Sequence, residues 1–487
     1  MSIYLAVDLG TTGCRSLLFD SSLHVICDAY EEYGLIIPKE KWTEQDAELW
    51  WTLTKRTAKT VIRKAGIDPS TVAGISISSQ GITIVPVDRD LRPLCNAISW
   101  LDVRPEAQCE QLLRDFGFRE MFTHTGKQIN PCYSLPKILW LRDEMPEVFA
   151  RTWKFLMPMD FLIGKLTGRC VTDHSMASGT LLYDIKNCCW SQTVLDTYGL
   201  QLSQLPELAW SGEVAGTVLP EVAAELGLSP DCIVAVGAQD QKCAAVGAGL
   251  CDGVMTISLG TCAAICKLWD EPKTEGDTRI GWCGYVRPGT WVTEGVINTA
   301  GSCLRWLRDT LFPGEGYETI NAEAADAIAR NSSLLFYPYM NGPSSPDNYP
   351  DSDGCFYGVN LATKRGDFAM AVMEGVAFQI RIMLEVMQAY GNVHTLVLFG
   401  GGANSDIWCQ IIADVTGMTI TVPDTYEAAS AGAAVLAGIA TGEFSREQPP
   451  AIRYVKHYQA ASDRSYYEDK YRRYRQIEHK LWTQENG

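Results

Sequence analysis

Apolar and polar positions along this chain follow two periods, and the switch between them marks the elements. In "YLAVDLGTTGCRSLLFD" (4–20) an apolar run is broken by Asp8, then by Gly10, Thr11, Thr12 and Gly13, and resumes through Leu17, Leu18 and Phe19. That pattern predicts strands at 3–9 and 15–20 joined by a small, polar turn. "HVICDAYEEYGLII" (24–37) continues in strand. Residues 43–66, "TEQDAELWWTLTKRTAKTVIRKAG", predict a helix with Thr43 as N-cap, acids in the first turn and Gly66 after the last. "VAGISISSQGITIVPVD" (72–88) returns to strand. Strand, hairpin, helix and strand in this order indicate an α/β domain.

The pattern recurs near residue 232. "CIVAVGAQDQKCAAVGAGL" is a strand, a turn and a small-residue helix, and "GVMTISLGTCAAICKLWD" is a second strand–turn–strand whose "ISLGTCAAI" echoes "VDLGTTGCRSLLF". A third glycine loop, Gly400–Gly402, lies between the apolar "TLVLF" and a helix, and a long helix near 367–390 precedes it. Tyr467, Tyr471, Tyr474, Ile477 and Leu481 recur at helical spacing and predict a docked amphipathic helix near 463–483. The expectation is two α/β lobes, residues 1–230 and 231–487, around one cleft.

The chain has 487 residues, 46% of them hydrophobic and 20% charged, which is enough for a large core and excludes a disordered chain. A net charge of −17 argues against nucleic acid, whose affinity comes from phosphate neutralisation. It leaves room for a nucleotide held by backbone amides. The 17 cysteines follow no zinc spacing and no C-x-x-C, so free thiols in a reducing cytoplasm are expected. The first residues run straight into a strand without a leader-like pattern, and no apolar run reaches 18 residues, so no membrane span is expected.

Two LGT turns and a GGG loop suit a triphosphate: glycines admit the phosphate to the backbone, threonine hydroxyls add hydrogen bonds and Arg15 adds charge. Asp8, at a strand end, suits Mg²⁺, largely through water. In "VGAQDQKCAAVGAG" Asp240 and Lys242 are the ionisable groups; Asp240 is either a helix N-cap or a general base, and Lys242 is protonated at neutral pH. His124 and His174 stand in mixed segments, and no Ser/His/Asp grouping is visible.

These features together resemble the actin-like ATPase superfamily (ribonuclease H-like lobes) and, within it, the FGGY carbohydrate kinases. "CYSLPKILWLRDE" (132–144) is similar to that family's S-x-x-P-K-x-x-W signature, with Cys132 a departure, and "GCFYGVNLATKRGDFAMAVMEG" (354–375) to its second, including Gly358, Asp367, Ala371, Glu374 and Gly375. "LMPMDFLIGKLTG", "TDHSMASGTLLYD" and "FYPYMNG" read most like the xylulokinases. The resemblance implies ATP-dependent phosphorylation of a small sugar or polyol, a ketopentose such as D-xylulose for preference. Ribulose, a tetritol, a hexulose, a glycerol-like or signalling polyol, or an actin-like ATPase or sugar sensor without kinase activity, are the alternatives. It implies Asp240 as the catalytic base, near Mg²⁺ with Asp8. ATP falls to Gly10, Thr11, Thr12, Arg15, Gly260, Thr261, Gly400, Gly401, Gly402 and Asn404. Substrate falls to Gln80, Gly81, Trp100, Asp102, Arg104, Asp240 and Gln241. For Trp100 core packing, and for Asp102 with Arg104 a mutual salt bridge, are the competing readings. Gly81 and Ile82 stand where xylulokinases carry Met-His and glycerol kinases Arg-Glu, Gln241 replaces a common Asn, and "NGPSSP" (341–346) departs from Gly-Glu-Arg-x-Pro. A homodimer is a further expectation.

Overall fold

The computed structural model describes residues 2–482 other than Pro343, Asn348, Pro350 and Tyr426. The chain forms two compact α/β units. The first comprises Met1–Gly247, Trp269–Val292 and Glu427–Ala451, and the second Ala248–Leu268, Thr293–Tyr426 and Ile452–Gly487. The boundary expected near 230 therefore moves to 247, and Asp240, assigned to the second lobe, belongs to the first. The first unit also takes back a helix from far downstream.

Its main sheet runs Val214–Thr217, Ile233–Ala235, Val72–Ser79, Ile3–Leu9, Gly13–Asp20, Val25–Glu32, with Ala238–Gln239 also on Val72–Ser79. Ile3–Leu9 pairs antiparallel with its hairpin partner, Asp8 opposite Arg15, and parallel with Val72–Ser79, Asp8 opposite Ser78. The first helix is Ala47–Ala65, with Gly66 left-handed at its end as expected. Its N-cap is Asp46, not Thr43: the Asp46 carboxylate accepts the Glu48 and Leu49 N–H groups. Thr43 cannot begin a helix because Glu44–Gln45 is drawn into a short antiparallel pair with Ala97–Ile98, a tertiary pairing that overrides local propensity.

The helix Ala428–Ala440 packs on Asp240–Gly247 and on the strands Ile3–Leu9 and Val72–Ser79. The two helices approach backbone to backbone. A Cβ on Gly432 would lie 1.9 Å from the Cys243 carbonyl oxygen, and one on Gly247 2.0 Å from that of Ala428. The run AASAGAAVLAGIA is what such an approach demands.

In the second unit Val254–Leu259 pairs antiparallel with Ala263–Trp269 and parallel with Thr395–Phe399, followed outward by Thr419–Pro423 and Tyr454–Tyr458. Both LGT hairpins form, but the first turn is one residue longer. Leu9 faces Cys14, whereas Leu259 faces Ala263. The long helix is Arg365–Gln388, and Asp367 accepts the Lys364 N–H at its start (2.7 Å). The C-terminal helix is Ser465–Trp482; residue 483 of the expected span lies outside the described residues. Tyr467, Tyr471 and Tyr474 are buried as expected, but the stripe ends on buried Glu478 while Leu481 is exposed. Buried Lys470 pairs with buried Glu374 (2.5 Å). The 354–375 signature thus contributes a helix cap and a helix–helix ion pair, a packing role.

All 17 cysteines are free thiols. Among the described residues no helix is long and apolar enough to cross a membrane, and no cluster of three or more His, Cys, Asp or Glu side chains could hold a metal ion.

Candidate active site

In the first unit, Val72–Ser79 lies between two strands parallel to it and aligns their carboxyl ends. Asp8 is opposite Ser78 on one side, and Ala238 and Gln239 are opposite Ser78 and Ser79 on the other. The second approach needs Gly237, where a Cβ would stand 1.7 Å from the Ile77 carbonyl oxygen. Asp240 follows and opens the helix Asp240–Gly247. Two carboxylates thus gather at the carboxyl end of parallel strands, where α/β sheets bind ligands. The Ser78 hydroxyl donates to Asp8 Oδ1 (2.7 Å). Burial raises the Asp8 carboxyl above its ordinary range, opposed by Ser78 and the Arg15 charge. Asp240 Oδ1 accepts Gln239 Nε2 (2.5 Å) and the Gln241 N–H (2.6 Å), which fixes the carboxylate plane. Buried Cys243 lies in the field of both: desolvation first, then Asp173, Asp8 and Asp240, hold its thiol protonated.

The first LGT turn is held through its carbonyls. Gly10 O accepts the Tyr33 hydroxyl, Thr11 O accepts Gln45 Nε2 (2.7 Å) and Thr12 O accepts the Tyr33 N–H (2.9 Å). The N–H groups of Thr11 and Thr12 have no acceptor among the described residues, an arrangement suited to an anion. Arg15 departs from expectation. Its guanidinium forms an ion pair with Glu427 and lies over the Tyr30 ring (5.0 Å). Its charge is therefore already neutralised inside the unit.

In the second unit, Gly260, Thr261, Gly401, Gly402 and Asn404 line one cleft of about 560 Å³, with Gly400 at the end of the adjoining strand. The helix Gly301–Leu311 directs its first N–H groups at the second turn: Gly301 donates to Gly260 O (2.8 Å) and Ser302 to Thr261 O (3.1 Å), satisfying donors a helix start leaves open. Arg305 Nη2 donates to Thr261 Oγ1 (3.0 Å) and Ser405 Oγ to Asn321 Oδ1 (3.0 Å). Arg305, Tyr317, Glu318 and Asn321 line this cleft and were missed from sequence. They sit on two amphipathic helices with no motif; the LRWLRD pattern there signals only a half-buried helix.

On the sugar side, Asp102 and Arg104 consume each other. Asp102 is fully buried and accepts Thr43 N–H (2.6 Å), Arg104 N–H (2.9 Å) and the Arg104 guanidinium (2.7 Å from Nη2). Arg104 also pairs with Glu44 (2.8 Å) and lies against the Trp42 and Trp140 rings, 3.8 and 4.8 Å from their centroids. The salt-bridge reading holds: Arg104 spends Nε and Nη2 on Asp102 and Glu44, and its Nη1 has no acceptor among the described residues. Gln80 is buried, its amide bonded to Gln45 (3.0 Å), whereas Trp100 is half-exposed. Gly81 backs onto Gln239, whose Cγ would lie 3.0 Å from a Cβ there. Gln241 follows Asp240 on the helix. Next to Gly81, Ile82 takes φ +56°, a costly conformation for a β-branched residue and one concentrated at functional sites. Its carbonyl accepts Ser134 Oγ (3.2 Å) and Lys137 Nζ (3.2 Å), both from the S-x-x-P-K segment. Burial pushes Lys137 down to about 7.

A Ser/His/Asp grouping, unseen in the sequence, is present: His124 Nε2 is 2.6 Å from Ser191 Oγ and its Nδ1 is 3.9 Å from Asp184. Ser191 is buried and caps the helix Gln192–Tyr198 through Val194 N–H (3.2 Å), so it makes no accessible nucleophile. His174 stacks on Trp210 (3.7 Å) and bonds to the Tyr183 hydroxyl (2.7 Å); burial lowers it to about 4. Its neutral form adds stability that is complete above pH 6.5 and lost as pH falls toward 4, about 3 kcal/mol in all. Urea unfolding of His174→Gln at pH 7 and pH 4.5 is expected to show a smaller acid loss than the wild type.

Comparison with known proteins gives the family. The N-terminal domain of the FGGY family of carbohydrate kinases matches residues 3–247 and its C-terminal domain residues 255–441. The xylulose kinase of Bacillus subtilis is 30% identical over 459 residues, 94% of this chain and 92% of that protein. The gluconokinase of Bacillus licheniformis is 29% identical over 456 residues, 91% of this chain and 88% of that protein. A crystal structure of a xyloylose kinase from Brucella ovis superposes with a TM-score of 0.91 at 30% identity, covering 99% of this chain and 100% of that one. Each unit has the α/β, actin-like ATPase fold expected from sequence, and the class is carbohydrate kinase. The chain belongs to the FGGY family, and its enzymatic activity is that of a sugar kinase.

Proposed function

We propose that this enzyme transfers the γ-phosphoryl group of ATP to a hydroxyl of a neutral ketopentose such as D-xylulose, in the cytoplasm, with Asp240 as general base. The observation that carries this reading is the meeting of Asp8, Ser78 and Asp240 at one end of three aligned strands. Phosphoryl transfer asks a protein chiefly for positioning and charge stabilisation. Asp240 takes the hydroxyl proton as the new O–P bond forms and the bond to the leaving ADP oxygen breaks. Its plane is set by Gln239 and by the Gln241 N–H. The Thr11 and Thr12 amides and the Gly260–Thr261 turn serve phosphate, and the 560 Å³ cleft serves the nucleoside.

The donor set fits Mg²⁺. Asp8 and Asp240 offer hard carboxylate oxygens, the ligands Mg²⁺ takes alongside water and substrate phosphates. When bound, the ion would supply charge stabilisation at the phosphates.

A neutral polyol is favoured over an aldonate such as gluconate because the charge of Arg104, the cation read on the sugar side, is already balanced by Asp102 and Glu44. The test is MgATP-dependent ADP release with D- and L-xylulose, D- and L-ribulose, glycerol, erythritol, gluconate and common hexuloses. The expected result is one strong signal, from a ketopentose. Gluconate as the preferred substrate would overturn the neutral-polyol reading, and slow hydrolysis indifferent to every sugar would overturn the kinase reading for this panel.

A further inference from the structure

Gln45 has no part in the function above, yet it is fully buried and uses both ends of its amide. Nε2 donates to the Thr11 carbonyl (2.7 Å), and Oε1 accepts Gln80 Nε2 (3.0 Å). Gln80 Oε1 accepts the Thr83 hydroxyl (3.4 Å), and Thr83 Oγ1 accepts the Trp100 backbone N–H (3.0 Å). The Trp100 indole N–H donates to Thr11 Oγ1 (2.9 Å) and closes the circuit.

The direction of this chain is forced. The Thr11 carbonyl can only accept, so Gln45 must face it with its NH₂ and turn its oxygen to Gln80. Gln80 must then present its own NH₂ to Gln45 and its oxygen to Thr83. The Trp100 N–H can only donate, which completes the order. Every donor points from Trp100 toward Thr11, the arrangement in which successive hydrogen bonds reinforce one another. Gln45 and Thr83 are 0% exposed and Gln80 2%, whereas Trp100 is 37% exposed and Thr11 is half-buried. Thus only the two ends reach solvent, and they are the residue read at the phosphates and the residue read at the sugar.

We propose that Gln45 and Thr83 are positioning residues that lock the Trp100 indole to the Thr11 turn, so that occupancy at either end is felt at the other. This rests on the reading of Thr11 as a phosphate ligand and Trp100 as a wall of the sugar site. A buried circuit of this kind differs from ordinary core packing in one respect: it ties the two surface groups to each other as well as to the core. Loss of one member leaves a buried partner unsatisfied, which costs more than the bond itself contributes.

The test uses the full chain labelled with 5-fluorotryptophan, the Trp100 resonance being identified by its absence in Trp100→Phe. MgADP alone is the probe, so no sugar is needed. The expected result is a Trp100 shift on MgADP binding in the wild type and in Thr83→Ser, reduced to less than half in Thr83→Val and Gln45→Met. If Gln45→Met does not fold, the Thr83 pair decides. A Trp100 resonance indifferent to MgADP in the wild type, or a shift of equal size in Thr83→Val, would overturn the proposal. In turnover, Thr83→Val is expected to lower kcat/KM for MgATP and for the accepted polyol together, about five- to fiftyfold, with recovery in Thr83→Ser. A purely structural threonine would lower the thermal midpoint and leave both constants in place. Failure of every polyol in the wild type would count against the kinase reading alone, and the fluorine measurement would still decide the coupling.

Discussion

Asp240→Asn is expected to lower kcat about 10²- to 10⁴-fold, the range contributed by a positioned general base, with KM for MgATP changed less than about threefold. Asparagine preserves the shape of the side chain and can still accept the Gln241 N–H, which lies 2.6 Å from Asp240 Oδ1. What it loses is the capacity to take the hydroxyl proton. Steady-state kinetics with MgATP and the best polyol of the panel measure both constants, and a thermal midpoint near the wild-type value excludes misfolding as the cause. Near-wild-type turnover would remove Asp240 from the role of base and reduce it to the first residue of its helix. A fall in kcat with a large rise in KM for ATP would instead assign it mainly to the nucleotide and its metal.

Gly432→Ala is expected to lower the unfolding free energy by about 3 kcal/mol or more, the upper end of overpacking costs. The added methyl would meet the Cys243 carbonyl oxygen at 1.9 Å, and the obstacle is backbone, which has no rotamer to yield. The helices must then separate, and Asp240–Gly247 moves with Asp240, the proposed base. Gly34→Ala is the control, because a Cβ there meets nothing within 4 Å, and it should be nearly neutral. Urea unfolding of both variants, with ADP release beside it, checks the pair. Equal midpoints would mean that the two helices tolerate the methyl by sliding, and that Gly432 is not what sets their separation.

What could be read from the sequence was local. Asp8 at a strand end, both LGT hairpins and the helix after Gly400–Gly402 follow from periods of two and 3.6 within windows of about 20 residues. The Thr43 cap failed because pairing with Ala97–Ile98, some 50 residues on, holds Glu44–Gln45 extended. Arg15 read as a free cation because its partner, Glu427, is 412 residues away. Asp102 and Arg104 were close enough in sequence for a mutual pair to be foreseen, but the Thr43 N–H and the two tryptophan rings that complete the burial were not. Arg305 and Asn321 carry no motif; they become visible only when parallel pairing of Val254–Leu259 with Thr395–Phe399 brings two glycine loops to one end of a sheet.

The return of Ala428–Ala440 to the first unit also bears on how the protein is made. Synthesis delivers Asp240–Gly247 well before the helix that covers it; roughly 180 residues separate them, about 10 to 40 s at ordinary elongation rates. Throughout that interval the face formed by Ile3–Leu9, Val72–Ser79 and the Asp240 helix lacks its cover, and most of the second unit is translated first. On the ribosome, the unit that holds Asp8 and Asp240 begins first, yet is completed only after most of the second unit has been made.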